Sequence, residues 1–395
     1  MKEQFGRSAG RCRRYSAIAV AVLIFAFDCA AQCPVDVVVA GLNLPLGITE
    51  TNQLNLIVGE TGNGAAGSGR ISLVDPTSGV RTTLLSGLPS GINDVNEPSG
   101  PSGVLMQGRT LYVLIGVGDA VRAGPFPGTT MANPAGASSP IFSSLLAVHF
   151  SAKAEKDAAS VTLSPADQAA LAAGGTVTLG AKSSKVTINL VANFPDYTPN
   201  PIAIFPANVR ASNPFDLAIV GDSIYVTDGG MNLVWRVDTE TGTFGALAAF
   251  APIPNPYFPT LGGPSVEAVP TGITYSDGRL LVTLFRGFPF PPLAAVQQVD
   301  PETGAQGALI SGLKSAIDVA PDRDGGLFVL QHASNMSPFL NGIGVLLHYA
   351  VPGGTGTTVA NCLARPTSMV VAKRTGTVYI TELVGGRVVA IVSPL

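Results

Sequence analysis

Charge and cysteine are scarce in this chain of 395 residues: 12% of it is charged, and it holds four Cys, three His and one Trp. No stripe of Lys and Arg follows the first 31 residues, which argues against a nucleic-acid partner. Past that leader there is no GxSxG elbow, HExxH helix, CxxC pair or phosphate loop, so the common hydrolase, metalloprotease, redox and nucleotide signatures are missing. Long helical patterns are missing too. What is abundant is apolar residues at 46%, with 46 Gly and 31 Pro, the composition of a large core cut by many tight turns.

Residues 1–31 stand apart. Lys2, Arg7, Arg11, Arg13 and Arg14 precede an apolar run from Ala17 to Phe27, and small residues follow to Ala31. That order predicts a secretory signal, too short for a comfortable membrane span. The remainder, 32–395, keeps 18 Lys and Arg against 24 Asp and Glu, a net charge near −6. It is expected to be exported to the periplasm or outside the cell, without a transmembrane segment and as a monomer. Cys33 and Cys362 are the two cysteines clearly left after processing, and export would permit a disulfide.

A phrase returns six times along the mature chain. It reads PLGI at Pro45, PSGV at Pro101, PFDL at Pro214, PTGI at Pro270, AIDV at Ala316 and PTSM at Pro366. Each is answered by a second apolar run, LIV at Leu56, LYV at Leu111, IYV at Ile224, LLV at Leu280, LFV at Leu327 and VYI at Val378. Third runs such as RISLVD, LVWRVD and VQQVD end in Asp-x-x-x-Gly turns that lead to fourth runs. Copies of about 40 to 50 residues with four strands each are the signature of propeller blades. The sixth copy stops after three strands, and VDVVVAGL, Val35 to Leu42, reads like the missing fourth. The expected fold is therefore all-β, a six-bladed propeller closed by an N-terminal strand that completes the last blade. Matching VVVAGL to TVANCL places Cys362 near the end of one fourth strand and Cys33 before the start of the next. On that register the two are not expected to pair.

Blade two is too long. Its excess, 152–184, is rich in Ala, Ser and Lys and lacks a second Pro-turn-strand phrase, so it is read as an insertion. Within it Ser164, Pro165 and Gly174 predict the cap, first turn and stop of a short helix.

Loops between blades, and those joining second to third strands, lie on one face of a propeller. The long connectors, Gly116 to Ser143, Ala192 to Ser212, Ala251 to Val269, Phe285 to Leu293 and His332 to Ile343, all fall there. They concentrate aromatic residues, among them Phe126, Tyr197, Phe258, Phe285, Phe288, Phe290 and Phe339. Such a face suits recognition of a small apolar or aromatic molecule, or of a partner segment, with Phe285, Phe288, Phe290, Asn213 and His332 as candidate contacts. Glu60, Asp228, His332 and Glu382 follow second strands and Asn213 precedes a first strand, so they gather toward the axis. Glu60, Asn213 and Asp228 form a candidate calcium site, although such groups commonly cap turns instead. No cofactor is required by the sequence. Asp216 and Asp318 occupy a first-strand position that is Gly or Ser in the other blades, where they would line the channel or bond neighbouring backbone. His149 and His348 fall inside third strands, where a structural place is the simpler reading.

Together SNPFDLA at Ser212, VPTGIT at Val269, RGFPFPP at Arg286 and the closing PTSM resemble the ScyD/ScyE family of secreted, NHL-like propeller proteins. The resemblance spans roughly Val35 to Leu395. It implies an exported six-bladed propeller, some members being associated with assembly of the pigment scytonemin, and it supplies no catalytic residue set. Glu60, Asn213 and Asp228 also loosely resemble the metal set of gluconolactonase-like hydrolases, so the alternative reading is a metal-dependent lactonase or esterase. Quinoprotein dehydrogenases share such scaffolds, but the catalytic His and basic residues they need are scarcely offered.

Overall fold

The computed structural model describes Cys33, residues 35–334 and residues 342–392; the leader, Phe339 and most of the connector around it lie outside the described residues. Six antiparallel sheets follow one another along the chain. Blade one comprises Pro45–Glu50, Leu56–Glu60, Gly69–Val74 and Arg81–Leu88, and blade three Pro214–Val220, Ser223–Asp228, Leu233–Asp238 and Phe244–Ala249. Blade four runs from Pro270 to Leu313 and blade five from Ala316 to Leu363, each with four strands in chain order. In blade six Pro366–Val371, Val378–Glu382 and Arg387–Ile391 are joined by Asp36–Ala40, which pairs antiparallel with Arg387–Ile391. The six-bladed ring closed by an N-terminal strand is thus the architecture observed.

Alternation along the strands buries both faces of every blade against its neighbours. Leu114 and Leu145 of blade two, for example, pack with Leu217, Ile224, Val226 and Val237 of blade three. Among the described residues no helix is long and apolar enough to cross a membrane.

The insertion is more structured than its composition suggested. Ser164 caps the helix Pro165–Ala172 and exchanges capping-box bonds with Asp167, while Gly174 follows at φ +81°. Leu163, Leu171 and Val177 join the core of the first two blades. Thr176–Ala181 adds a fifth strand outside Ser184–Asn193 of blade two, and Val161–Thr162 runs parallel to the outer strand of blade one. The segment therefore ties two blades together at their rims.

One expectation is overturned: Cys33 and Cys362 form a disulfide, with Cα atoms 5.9 Å apart. Neighbouring fourth strands are not the parallel staves that the expected register requires, because a four-stranded blade twists strongly from its first strand to its last. Each fourth strand consequently starts against the fourth strand of the preceding blade. The turn glycines show this repeatedly: a Cβ on Gly242 would lie 2.4 Å from Val191 O, and one on Gly353 would lie 3.2 Å from Leu309 O. Both glycines have φ near +70° to +77°, a conformation that a side chain would strain as well. By the same geometry the segment entering the outer strand of blade six meets the outer strand of blade five, where Cys362 lies. The bridge spans 329 residues of sequence and fastens the closing strand to a second blade.

Candidate functional site

Hydroxyl groups stitch the inner strands into a ring. Thr61 Oγ1 donates to Pro101 O, Ser102 Oγ to Pro214 O, Thr283 Oγ1 to Ile317 O and Thr367 Oγ1 to Pro45 O, each from one blade to the next. At the seam between blades five and six His332 takes this place, donating through Nδ1 to Pro366 O at 2.9 Å. A carbonyl can only accept, so the proton sits on Nδ1. Burial holds the imidazole neutral, with its pKa pushed down to about 4.

The last residue of the second strand performs a second repeated task. Glu60 Oε2 accepts from Asn43 N at 2.5 Å, Asp228 Oδ1 from Asn213 N at 2.7 Å, Gln331 Oε1 from Lys314 N at 2.6 Å and Glu382 Oε1 from Ala364 N at 2.6 Å. Each bond fixes the turn that enters the first strand of its own blade. The remaining lone pairs are also taken. Glu60 is ion-paired with Arg70 at 2.6 Å and accepts from Ser72 Oγ, and Glu382 is paired with Arg387. Asp228 receives Ser212 Oγ, Met231 N and Trp235 Nε1. Asn213 takes part through its backbone, donating to Asp228 and accepting from Gly229 N.

Glu60, Asp228 and Glu382 are fully buried. Carboxylates so enclosed and saturated with N–H and O–H donors have little left for a cation, and the Arg70 guanidinium beside Glu60 would repel one. Among the described residues no three His, Cys, Asp or Glu side chains are grouped to hold a metal ion. The set Glu60, Asn213 and Asp228 does not fit calcium in this arrangement.

The aromatic candidates do come together. Phe285 meets His332 edge to face with ring centres 5.8 Å apart, Phe285 meets Phe290 at 6.3 Å, and Phe290 meets Phe288 at 5.9 Å. The row runs from the seam of blades five and six, where Phe285 packs on the core, out to Phe288, which is 48% exposed. Its carrier loop is fastened to the connector from blade three: Phe285 N, Arg286 N and Gly287 N donate to Val269, Ala268 and Glu267 carbonyls. The buried Arg286, at φ +74°, closes the loop by donating Nε to Leu293 O. That tie was not read from the sequence; an Arg opening an otherwise apolar GFPFPP run was its one signal.

The other rings divide. Phe142 and Phe194 are buried and serve packing, whereas Phe126, Tyr197 and Phe258 are exposed. Among the described residues four short two-stranded ribbons, unforeseen in the sequence, stiffen this face, including Val121–Ala123 with Thr130–Ala132 and Tyr197–Pro199 with Val209–Ala211.

The opposite end of the axis holds a hollow of about 700 Å³ walled by first strands of all six blades. Asp216 and Asp318 are at its floor, both lining the hollow and bonding neighbouring backbone. Asp216 Oδ2 accepts from Ile273 N of blade four at 3.0 Å, and Asp318 Oδ2 from Met369 N of blade six at 2.7 Å. His348, in a third strand, pairs with Asp322 at 2.7 Å near the rim. His149, in the third strand of blade two, is exposed and bonds Thr110 Oγ1 at 3.1 Å.

No family model matches the chain, and no curated protein matches it. Among solved structures it is similar to an oxidoreductase (glucose dehydrogenase) of Thermus thermophilus, with 14% identity, 91% of this chain and 99% of that one covered, and a TM-score of 0.48. A catalytically inactive virginiamycin B lyase from Staphylococcus aureus, solved with quinupristin, gives 11% identity, 91% and 99% coverage and a TM-score of 0.46. The nidogen/laminin complex gives 10%, 82% and 89%, and 0.40. These are likenesses of propeller path, at identities too low to carry an activity across.

Proposed function

We propose that the protein is an exported binding or accessory propeller of the ScyD/ScyE kind, which takes a small apolar or aromatic ligand on its long-loop face. The row Phe288, Phe290, Phe285 and His332 is the observation that carries this reading. Its inner end is held by the ring of blade contacts, and its outer ring stays in solvent on a loop stiffened by Pro289, Pro291 and Pro292. A ring held this way loses little freedom when a flat apolar molecule stacks on it. The disulfide and the leader support export.

Equilibrium dialysis of the mature protein against a panel of fused-ring aromatics tests the reading. Saturable binding is expected, weakened about tenfold or more by joint Phe288→Ala and Phe290→Ala substitution, since two rings contribute on the order of 1.5 kcal/mol or more. Absence of saturable binding across the panel removes it.

A further inference from the structure

We propose that Asp216 and Asp318 form a proton-binding site on the propeller axis, and that the bound proton tightens the innermost ring. The site is independent of the ligand reading above.

The geometry starts from the third residue of each first strand: Gly47, Gly103, Asp216, Gly272, Asp318 and Ser368. First strands approach so closely here that a Cβ on Gly47 would lie 2.3 Å from Ser102 O, and one on Gly103 2.8 Å from Asp216 Cα. Four positions are accordingly small. The two aspartates stand on either side of Gly272, and that glycine makes room: a Cβ on Gly272 would sit 2.5 Å from Asp318 Oδ1. Each carboxylate then reaches the next blade. Asp216 bonds Ile273 N, while Asp318 bonds Ser368 Oγ and Met369 N and also accepts from Val319 N.

Neither aspartate has an ion-pair partner among the described residues. The other charged or titratable groups around the hollow are Glu50, Asp322, Arg323 and Lys373. Glu50 accepts from Lys373 N, and Asp322 is engaged with His348. Two carboxylates without a bonded cation thus stand on either side of Gly272 in the innermost ring, Asp318 buried and Asp216 half-buried at the hollow, an arrangement that disfavours double ionisation. Burial raises Asp216 to about 6, and burial together with the charge of Asp216 raises Asp318 well above its ordinary value.

A carboxyl whose folded pKa exceeds its unfolded value favours the folded state below the unfolded pKa, and that advantage is lost as pH rises through the folded pKa. For Asp216 the window runs from about 4 to about 6, with Asp318 extending it upward. His332 acts oppositely over about pH 4 to 6.5, so the wild-type melting curve alone mixes the two. The difference between wild type and a variant isolates the pair.

Asp216→Asn keeps an oxygen for Ile273 N and removes one charge. It is expected to melt a few degrees higher than wild type at pH 8, with the gap closing as pH falls to 4.5. Infrared difference spectra of the wild-type protein between pH 5 and pH 8, with 13C-labelled aspartate, are expected to show protonated carboxyl disappearing across that range, and less of it in Asp216→Asn. Should the variant fold poorly, the wild-type spectra decide alone. Complete ionisation of every aspartate by pH 5, or a variant gap independent of pH, overturns the proposal.

Discussion

The two ends of the propeller axis are built by one repeat and finish differently. At the long-loop end, Glu60, Asp228 and Glu382 are enclosed and spend their oxygens on turns of their own blades, beneath connectors that leave Phe288 in solvent. At the hairpin end, Asp216 and Asp318 bond the next blade and face an open hollow. Acidic residues are therefore poor guides to function here unless their partners are known: the same chemistry is sealed at one end and charge-stressed at the other. Connectors of varied length cover the one end, and first strands of all six blades wall the hollow at the other.

Closure is shared by both ends, and breaking it should have the largest effect. Deleting residues 33–40 strips the outer strand from blade six and removes the bridge, and is expected to give aggregation or a collapse of cooperative unfolding. Cys362→Ser alone should cost about 2–5 kcal/mol by urea unfolding, because the bond closes so long a loop. Unchanged unfolding in the deletion would mean that the ring closes otherwise.

The carboxylates sharpen the contrast through opposite signs. Asp228→Ala leaves Trp235, Ser212 and two backbone N–H groups without their acceptor and should destabilise by about 3–5 kcal/mol. Asp216→Asn should stabilise at pH 8. Calcium or a chelator should leave the melting temperature of the wild type unchanged, since Glu60 and Asp228 are already saturated; a calcium-dependent rise lost in Glu60→Gln would restore a metal site there.

Next in size is the pH dependence that His332 confers. Its stabilising contribution is present above about pH 6.5 and is lost as pH falls toward about 4, because the unfolded imidazole takes a proton that the buried one refuses. The advantage of wild type over His332→Asn should shrink by about 3 kcal/mol between pH 7 and pH 4. A constant gap would show that the ring is accessible and charged in the folded state.

Much of this was legible in the sequence because it is periodic. The Pro-turn-strand phrase, the missing fourth strand of the last copy and the cap at Ser164 each rest on local spacing, and local spacing survives folding. The disulfide was misjudged because it depends on blade twist, a property of four strands together that no single run displays. The candidate site was half visible. Phe285, Phe288, Phe290 and His332 meet because they border one seam, whereas the choice between turn capping and metal binding at Glu60 and Asp228 stayed open because their donors, Arg70, Ser72 and Trp235, lie across strand pairings that a linear reading does not weigh.

The smallest expected stability change, in Phe288→Ala with Phe290→Ala, accompanies the most direct test of where recognition lies. Fluorescence titration with 2-naphthol should be run on the wild type, on that double variant and on Asp216→Asn. The account predicts saturable binding that the aromatic variant weakens about tenfold or more and Asp216→Asn leaves unchanged. Binding that survives loss of both rings but is abolished by Asp216→Asn would contradict it and move the ligand to the axial hollow.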